Sequence, residues 1–247
     1  MSTETIEIPV PDGTADAYVA RPDEGTHPGV LFLMDAIGLR PQIARMIERI
    51  ADWGYVVLAP NLFHRDGRAE DLAPRADLRQ PGEREKFFEQ VMPRVQGLTG
   101  ELMERDIPAY LSALRSLDGV APGPVGVTGY CMGARLAVRA AGLDQTVGAV
   151  GGWHGGSLVT EDDDSPHTRL ADARAELVFG HADNDRSMGP EAIARLGEAL
   201  EAAGLVAKNE VYEGAPHGYT MADTSMYHEA AAERHFTELE ALLDRRL

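Results

Sequence analysis

The sequence predicts an α/β protein in which helices cover both faces of a mostly parallel central sheet. Short apolar runs alternate along the chain with segments of helical periodicity, which is the pattern of a parallel sheet. The runs at 29–34 and 55–59 are apolar without alternation, as expected of strands buried on both faces. The tripeptide Pro11-Asp12-Gly13 separates two further strand-like segments and predicts an N-terminal antiparallel hairpin.

Each element follows from a local pattern. The hairpin strands are predicted at 5–10 and 15–20, and a helix at 41–53 has Pro41 in its first turn and Gly54 as its stop signal. The other elements, in chain order, are strands at 29–34 and 55–59, a polar irregular segment at 61–82, helices near 83–95 and 101–116, a strand at 125–128, a helix at 132–141, strands at 147–153 and 176–180, a helical stripe at 193–203, a strand at 207–212 and a terminal helix at 225–245. We see neither an internal repeat nor a low-complexity linker, so residues 1–247 are expected to form one domain.

The composition argues against several classes of protein. The chain has 247 residues, and its 40 acidic against 23 basic side chains give a formal charge of −17, which repels phosphate backbones and anionic lipid. Its apolar runs are far shorter than the ~20 residues of a membrane span, and its start lacks a basic region followed by an apolar run. A single cysteine cannot form an internal disulfide. We therefore expect a soluble cytoplasmic protein that binds neither nucleic acid nor membrane.

The segment Gly129-Tyr130-Cys131-Met132-Gly133 joins a predicted strand to a predicted helix. Gly-x-Cys-x-Gly in that context is the nucleophile-elbow pattern, with sulfur in place of the usual serine oxygen. The central residue of such a turn is strained, and side chains two positions before and after it would collide, which explains the glycines. The helix amino end favours thiolate over thiol. We interpret Cys131 as a nucleophile; the alternative is a small buried core residue.

The catalytic partners are expected downstream, because the chain order in such enzymes is nucleophile, acid, histidine. His217 stands in a Gly/Pro-rich loop after the last predicted strand and is the preferred base, with His154 as second choice. The loop after strand 176–180 supplies Asp183, the first choice for orienting the imidazole, and Asp185, which stays open as the alternative. This loop lacks the Gly and Glu of a calcium-binding EF-hand, so no metal site is predicted.

Two backbone N–H groups are expected to hold the oxyanion of the reaction. One belongs to Met132, the residue after the nucleophile, and the other to Ala36 or Ile37 in the loop after strand 29–34. The same loop contains Asp35, which is either a second functional carboxylate or a cap of the following helix.

These residues resemble the dienelactone hydrolase family, a branch of the α/β-hydrolases that uses a cysteine nucleophile. The resemblance covers nearly the whole chain and is most specific at the elbow, 129–134, and at the histidine loop, 214–219. It implies an α/β-hydrolase fold and a carboxylic ester hydrolase similar to carboxymethylenebutenolidase. By this resemblance Cys131, Asp183 and His217 hydrolyse a small ester or lactone through an acyl-cysteine intermediate, without a cofactor or metal.

The sequence departs from the pattern of this family in two places. Asp35 occupies the position of a glutamate that helps govern thiol protonation, and it is one methylene shorter. The type enzyme grips a substrate carboxylate with arginines, one of them four residues after the histidine, where this chain has Met221. Arg84 is matched to the other of these arginines, and Arg40 is a partial substitute for the missing one. Because this set of carboxylate-binding arginines is incomplete, a neutral or larger ester is expected. The expected substrate-binding residues are Asp35, Arg40, Arg84, Tyr130, His154 and Met221.

Two other functions use the same features. The triad also permits thioester hydrolysis or acyl transfer, and the fold without catalysis would give a ligand-binding protein. The sequence favours catalysis over binding alone, because all three triad positions are filled. The expected partner is a small-molecule ester or lactone, and the oligomeric state stays open.

Overall fold

The computed structural model describes residues 3–247 and is organised around one eight-stranded sheet. The expectation about the start of the chain also involves residues 1 and 2, which lie outside this range. The strands are β1 (Glu4–Val10), β2 (Gly13–Ala20), β3 (Gly29–Leu33), β4 (Val56–Pro60), β5 (Val125–Tyr130), β6 (Val147–Trp153), β7 (Glu176–Ala182) and β8 (Ala207–Tyr212).

The sheet order is β1-β2-β4-β3-β5-β6-β7-β8. The pairings of β1 with β2 and of β2 with β4 are antiparallel, and the other pairings are parallel. Strands β3, β4, β5 and β6 are buried at every position, because helices cover both of their faces. The predicted α/β fold with an N-terminal antiparallel hairpin is therefore confirmed.

Within residues 3–247 the α-helices are α1 (Pro41–Asp52), α2 (Ala69–Leu72), α3 (Glu83–Gly97), α4 (Gly100–Arg115), α5 (Gly133–Leu143), α6 (Pro190–Ala202) and α7 (Glu229–Arg246). The short helix α2 and a 3₁₀ helix at Pro166–Asp172 were not expected from the sequence. The terminal helix α7 begins later than the predicted residue 225, because His228 caps it: its Nδ1 accepts the Ala231 N–H at 3.2 Å. No helix in the described part of the chain combines the length and apolarity needed to cross a bilayer.

The parallel strands all deliver their carboxyl ends to one edge of the sheet. The loops after β3, β5, β6, β7 and β8 meet there, and each carries a polar or reactive residue singled out by the sequence analysis. These residues are Asp35, Cys131, His154, Asp185 and His217. The topology thus brings distant parts of the chain together at the same edge.

Candidate active site

Cys131 lies in a tight turn between β5 and α5. Its φ is 54°, a left-handed conformation that non-glycine residues rarely adopt. A Cβ atom on Gly129 would lie 2.3 Å from the Gly133 carbonyl oxygen, and one on Gly133 would lie 2.2 Å from that of Leu33. The predicted crowding between the two glycine positions is confirmed at Gly129, whereas a side chain at Gly133 would collide with the backbone of β3 instead.

The thiol of Cys131 faces an imidazole. His217 Nε2, in the loop between β8 and α7, is 3.1 Å from Cys131 Sγ. His217 Nδ1 is 2.5 Å from Asp185 Oδ2. Ser187 fixes the other oxygen of this carboxylate by donating its N–H and its hydroxyl to Asp185 Oδ1 at 2.8 and 2.7 Å. A continuous hydrogen-bonded row thus runs from Asp185 through His217 to the sulfur.

The preference for Asp183 over Asp185 is corrected by this geometry. Asp183 connects two loops instead: its N–H donates to the Ala215 carbonyl at 2.7 Å and its Oδ2 accepts the Gly214 N–H at 2.9 Å. Asn184 between the two aspartates has a φ of 55°. This left-handed turn separates the carboxylates, so that Asp185 faces the imidazole of His217 and Asp183 secures the start of the histidine loop.

The protonation states of Cys131, His217 and Asp185 follow from their burial and from the interactions among them. Burial opposes ionisation of Cys131, but the charge and hydrogen bond of His217 outweigh it and lower the pKa of the thiol. Burial likewise opposes a charged His217, but the Cys131 sulfur and the Asp185 hydrogen bond raise its pKa to about 10. The pKa of Asp185 is lowered to about 2, because its hydrogen bonds outweigh its burial. The geometry favours a thiolate beside an imidazolium.

Cys131 and His217 open into a cavity of about 500 Å³. Its walls are mostly apolar, and two arginines also face it. The lining residues are Ala36, Arg84, Phe88, Met92, Val95, Gln96, Cys131, Met132, Arg135, Gly156, Ser157, Asp185, Ser187, His217 and Met226. A thiol and an imidazole at the wall of a mainly apolar cavity are the arrangement of a small-molecule site.

A comparison of sequences identifies the family of this protein. The sequence model of the dienelactone hydrolase family matches residues 15–247. The chain belongs to this family. A relative from Salmonella typhi, provisionally named carboxymethylenebutenolidase, is 25% identical over 241 residues, which cover 94% of this chain and 83% of the relative. The carboxymethylenebutenolidase of Pseudomonas putida is 30% identical over 155 residues, 61% of this chain and 62% of that protein.

A solved structure agrees with this family at the level of the fold. The crystal structure of a protein from Klebsiella pneumoniae, provisionally named dienelactone hydrolase, superposes with a TM-score of 0.83 at 22% identity and covers 98% of each chain. The protein is therefore a hydrolase of the dienelactone hydrolase family, and within that class a carboxylic ester hydrolase.

The oxyanion candidates of this hydrolase are separated by their hydrogen bonds. The N–H of Ile37 donates to Asp35 Oδ1 at 3.2 Å, so it is not available to a substrate, contrary to one of the two expectations. The residues Met132 and Ala36 both line the cavity that contains Cys131 and His217. Within residues 3–247 neither of their N–H groups has a protein acceptor, and both amides are therefore available to an oxyanion.

Asp35 and Arg40 form a buried ion pair, and Asp35 lies beside Cys131 and His217. Arg40 Nη1 is 2.7 Å from Asp35 Oδ1, and Arg40 Nε is 2.6 Å from Asp223 Oδ2. Met221 Sδ accepts from Arg40 Nη2 at 3.3 Å. Arg40 is 3% exposed and lines a different cavity from Cys131, so its expected role as a substrate-binding substitute is wrong. Its two carboxylate partners leave this guanidinium no capacity for a substrate carboxylate.

Tyr130 does not reach the cavity, contrary to expectation. Adjacent side chains of a strand point to opposite faces of the sheet, so the residue before the elbow enters the core. The ring of Tyr130 is fully buried and stacks on Phe32, with centroids 4.6 Å apart, and its hydroxyl is 3.2 Å from His235 Nε2. Tyr130 thus anchors the end of β5 from behind.

His154 packs behind His217. Its Nε2 is 2.7 Å from Thr220 Oγ1, and its ring packs edge-on against that of His217 with centroids 5.3 Å apart. Burial, and then the charge of His217, hold the pKa of His154 well below its ordinary value, so it stays neutral. With Asp35 and Met221 it lines a small recess beside Cys131 rather than the main cavity.

Helix α3 supplies a wall of the cavity that the sequence analysis missed, apart from Arg84. Four of its side chains recur at helical spacing on one face, and this spacing is the signal by which they could have been found. They are Arg84, Phe88, Met92 and Val95. The guanidinium carbon of Arg84 lies 4.4 Å from the centre of the Phe88 ring, so this arginine is held by a cation–π contact.

Proposed function

We propose that this hydrolase cleaves a small ester or lactone through an acyl-cysteine intermediate on Cys131. His217 acts as the base, and Asp185 orients it and stabilises its cation. The observation that carries the proposal is the hydrogen-bonded row from Asp185 through His217 to the sulfur. We further propose that residues 1–247 act as one domain.

The first half of the reaction forms the acyl enzyme. The thiolate of Cys131 attacks the carbonyl carbon, and the oxygen that becomes negative is held by the N–H groups of Met132 and Ala36. When the tetrahedral species collapses, the bond to the alcohol or enol oxygen breaks. The imidazolium of His217 delivers its Nε2 proton to that oxygen, and the acyl group remains on sulfur as a thioester.

The second half releases the acid. His217, now neutral, takes a proton from water, and the resulting hydroxide attacks the thioester carbon. The carbon–sulfur bond breaks, the carboxylic acid leaves, and the thiolate–imidazolium pair is restored. Asp185 remains ionised throughout, because its pKa is held at about 2.

A reducing compartment suits this chemistry. Cys131 is partly exposed and its thiol pKa is lowered, and both properties make a thiol susceptible to oxidation. We therefore retain the cytoplasmic setting, and a small-molecule substrate without nucleic-acid or membrane partners, as parts of the proposal.

The experiment that tests it is a screen of lactones and aryl esters with mass spectrometry of the peptide that contains Cys131. We expect a substrate-derived acyl adduct on the sulfur. The variant Cys131→Ala should lose adduct and turnover while its circular dichroism spectrum is unchanged. Undiminished ester turnover by Cys131→Ala would overturn the proposal.

A further inference from the structure

Strand β8 is an open edge of the sheet. It stands last in the sheet order, and β7 is its one strand neighbour within residues 3–247. The N–H of Leu177 on β7 donates to the Val206 carbonyl at 3.0 Å. Since successive residues of a strand alternate in the side to which they bond, Ala207, Asn209 and Val211 direct their backbone N–H and C=O groups away from the sheet. In the described part of the chain these outward groups have no hydrogen-bond partner.

The side chains around β8 leave this edge accessible. Val206, immediately before the strand, is 70% exposed, and Val211 within the strand is 38% exposed. The side chains of Lys208 and Glu210 are 39% and 45% exposed. An edge with free backbone groups and exposed apolar side chains is a template for a further strand.

The opposite edge of the sheet, β1, is protected against such pairing. Pro9 has no N–H to donate, and the charged residues of β1, Glu4 and Glu7, are both acidic, so two copies of this strand would repel each other. Strand β8 contains no proline, and its charged residues, Lys208 and Glu210, have opposite signs. The comparison of the two edges therefore favours association through β8.

We propose that β8 is a dimerisation surface and that its partner is β8 of a second copy of this chain, paired antiparallel about a two-fold axis at Asn209. In this register Asn209 lies opposite Asn209 of the second copy, and Ala207 lies opposite Val211 of the second copy. Residues paired in this way exchange both of their N–H···O bonds, so all the outward backbone groups of β8 obtain partners. The sheet then continues across the two copies.

The charges on β8 select this register. With the axis at Asn209, Lys208 lies opposite Glu210 of the second copy, and the symmetry repeats the contact. These pairs lie between the hydrogen-bonded ones, where side chains on neighbouring strands approach most closely. An axis at Lys208 or at Glu210 would place like charges opposite each other. A lysine on an edge strand commonly discourages pairing, but here the two-fold symmetry supplies its counter-charge.

The first test reverses these charges one at a time and measures the dimer Kd by analytical ultracentrifugation. We expect the wild-type protein to be mainly dimeric at about 50 μM. Lys208→Glu and Glu210→Lys should each raise Kd about 10-fold or more, because both symmetric pairs then oppose like charges. Lys86→Glu, which reverses the lysine of an exposed ion pair with Glu83 on α3, is the matched control and should leave Kd unchanged.

The second test mixes the two charge-reversed variants. Lys208→Glu then has two acidic side chains on its strand, and Glu210→Lys has two basic ones, so the pairs across a mixed interface are again opposite in sign. An equimolar mixture should form a heterodimer with a Kd within about 3-fold of wild type. Lys208 Nζ also lies 2.8 Å from Glu238 Oε1 within the chain, so circular dichroism and Tm are recorded for each variant.

Hydrogen–deuterium exchange follows the backbone of the wild-type protein and needs no variant to fold. The amides of Ala207, Asn209 and Val211 should exchange about 10-fold more slowly when the protein concentration is raised from well below to well above Kd. The amides of β1 should exchange at the same rate at both concentrations.

The outcomes decide the proposal without reference to ester turnover, so it stands or fails separately from the proposed function. A wild-type protein that is monomeric at about 200 μM would overturn it. So would a dimer whose Kd is unchanged by both single reversals, or one in which exchange along β8 does not slow, because the copies would then meet through another surface.

Discussion

Two buried carboxylates flank the thiol, and they differ in what holds them. Asp185 lies beside an imidazole, with His217 Nδ1 2.5 Å from its oxygen. Asp35 lies beside a guanidinium, with Arg40 Nη1 2.7 Å from its oxygen. Both side chains are shielded from solvent: that of Asp35 is 6% exposed and that of Asp185 7%. Their burial is nearly the same, yet their chemical surroundings are not.

The contrast shows that the partner of a buried acid, rather than its burial, decides what the acid can do. An imidazole gains and loses a proton during a reaction, so a carboxylate next to it stabilises a charge that appears and disappears. A guanidinium keeps its proton, so a carboxylate next to it mainly balances a fixed charge. We infer that Asp185 serves catalysis and Asp35 serves the integrity of the loop after β3.

The largest effect is expected at the acid beside the histidine. Asp185→Asn should lower kcat for ester hydrolysis by about 10³- to 10⁴-fold, because the imidazolium loses its counter-charge and preferred tautomer. Asp183→Asn is the matched control, since within residues 3–247 the hydrogen bond of the Asp183 carboxylate comes from the Gly214 backbone N–H and not from His217, and its kcat should stay within about 3-fold of wild type. Equal losses in the two variants would remove the distinction between these aspartates.

A smaller effect, on stability rather than on rate, is expected at the other carboxylate. Asp35→Asn leaves Arg40 with Asp223 as its remaining carboxylate, and should lower the free energy of unfolding by about 3 kcal/mol. Asp223→Asn should cost less, because the Asp223 side chain is 27% exposed. Urea unfolding measures both. A kcat loss as large as that of Asp185→Asn, without loss of stability, would give Asp35 a catalytic role.

The smallest effect is a shift in the pH dependence of thiol alkylation. The pKa of Cys131 is lowered by His217 against the effect of burial, so the thiolate persists at lower pH than in free cysteine. We expect the iodoacetamide rate to have its midpoint below about 8.5. His217→Ala removes the lowering charge and leaves the burial, so the midpoint should move upward and the rate at pH 6 should fall about 10-fold or more. A midpoint unaffected by this substitution would mean that the imidazole does not hold the thiolate.

The fold was predictable because its signals are local. Strands such as β3 and β4 are continuous apolar runs, and β5 meets α5 at a glycine spacing imposed by backbone contact. The start of α7 was missed because a histidine cap at 228 is not a common N-terminal signal. The helix predicted near 101–116 contains Pro108, and α4 runs through this proline from Gly100 to Arg115.

The part of the candidate site that depends on chain order was predictable from the sequence, and the rest was not. Cys131 and His217 occupy loops whose place in the topology follows from the strand order. The choice between Asp183 and Asp185 depends on the backbone turn at Asn184, which two carboxylates on one loop do not reveal.

The close approach of Gly133 to the backbone of Leu33 has a consequence for how this enzyme can change. The backbone of Gly133, two residues after Cys131, packs directly against the backbone at the end of β3. Neither segment can therefore move without displacing the other. The α3 wall is different: Val91 is its buried residue, and Phe88 and Met92 reach the cavity from a helix with little anchorage. New substrates are therefore most readily accommodated by remodelling α3 around an unaltered reaction centre.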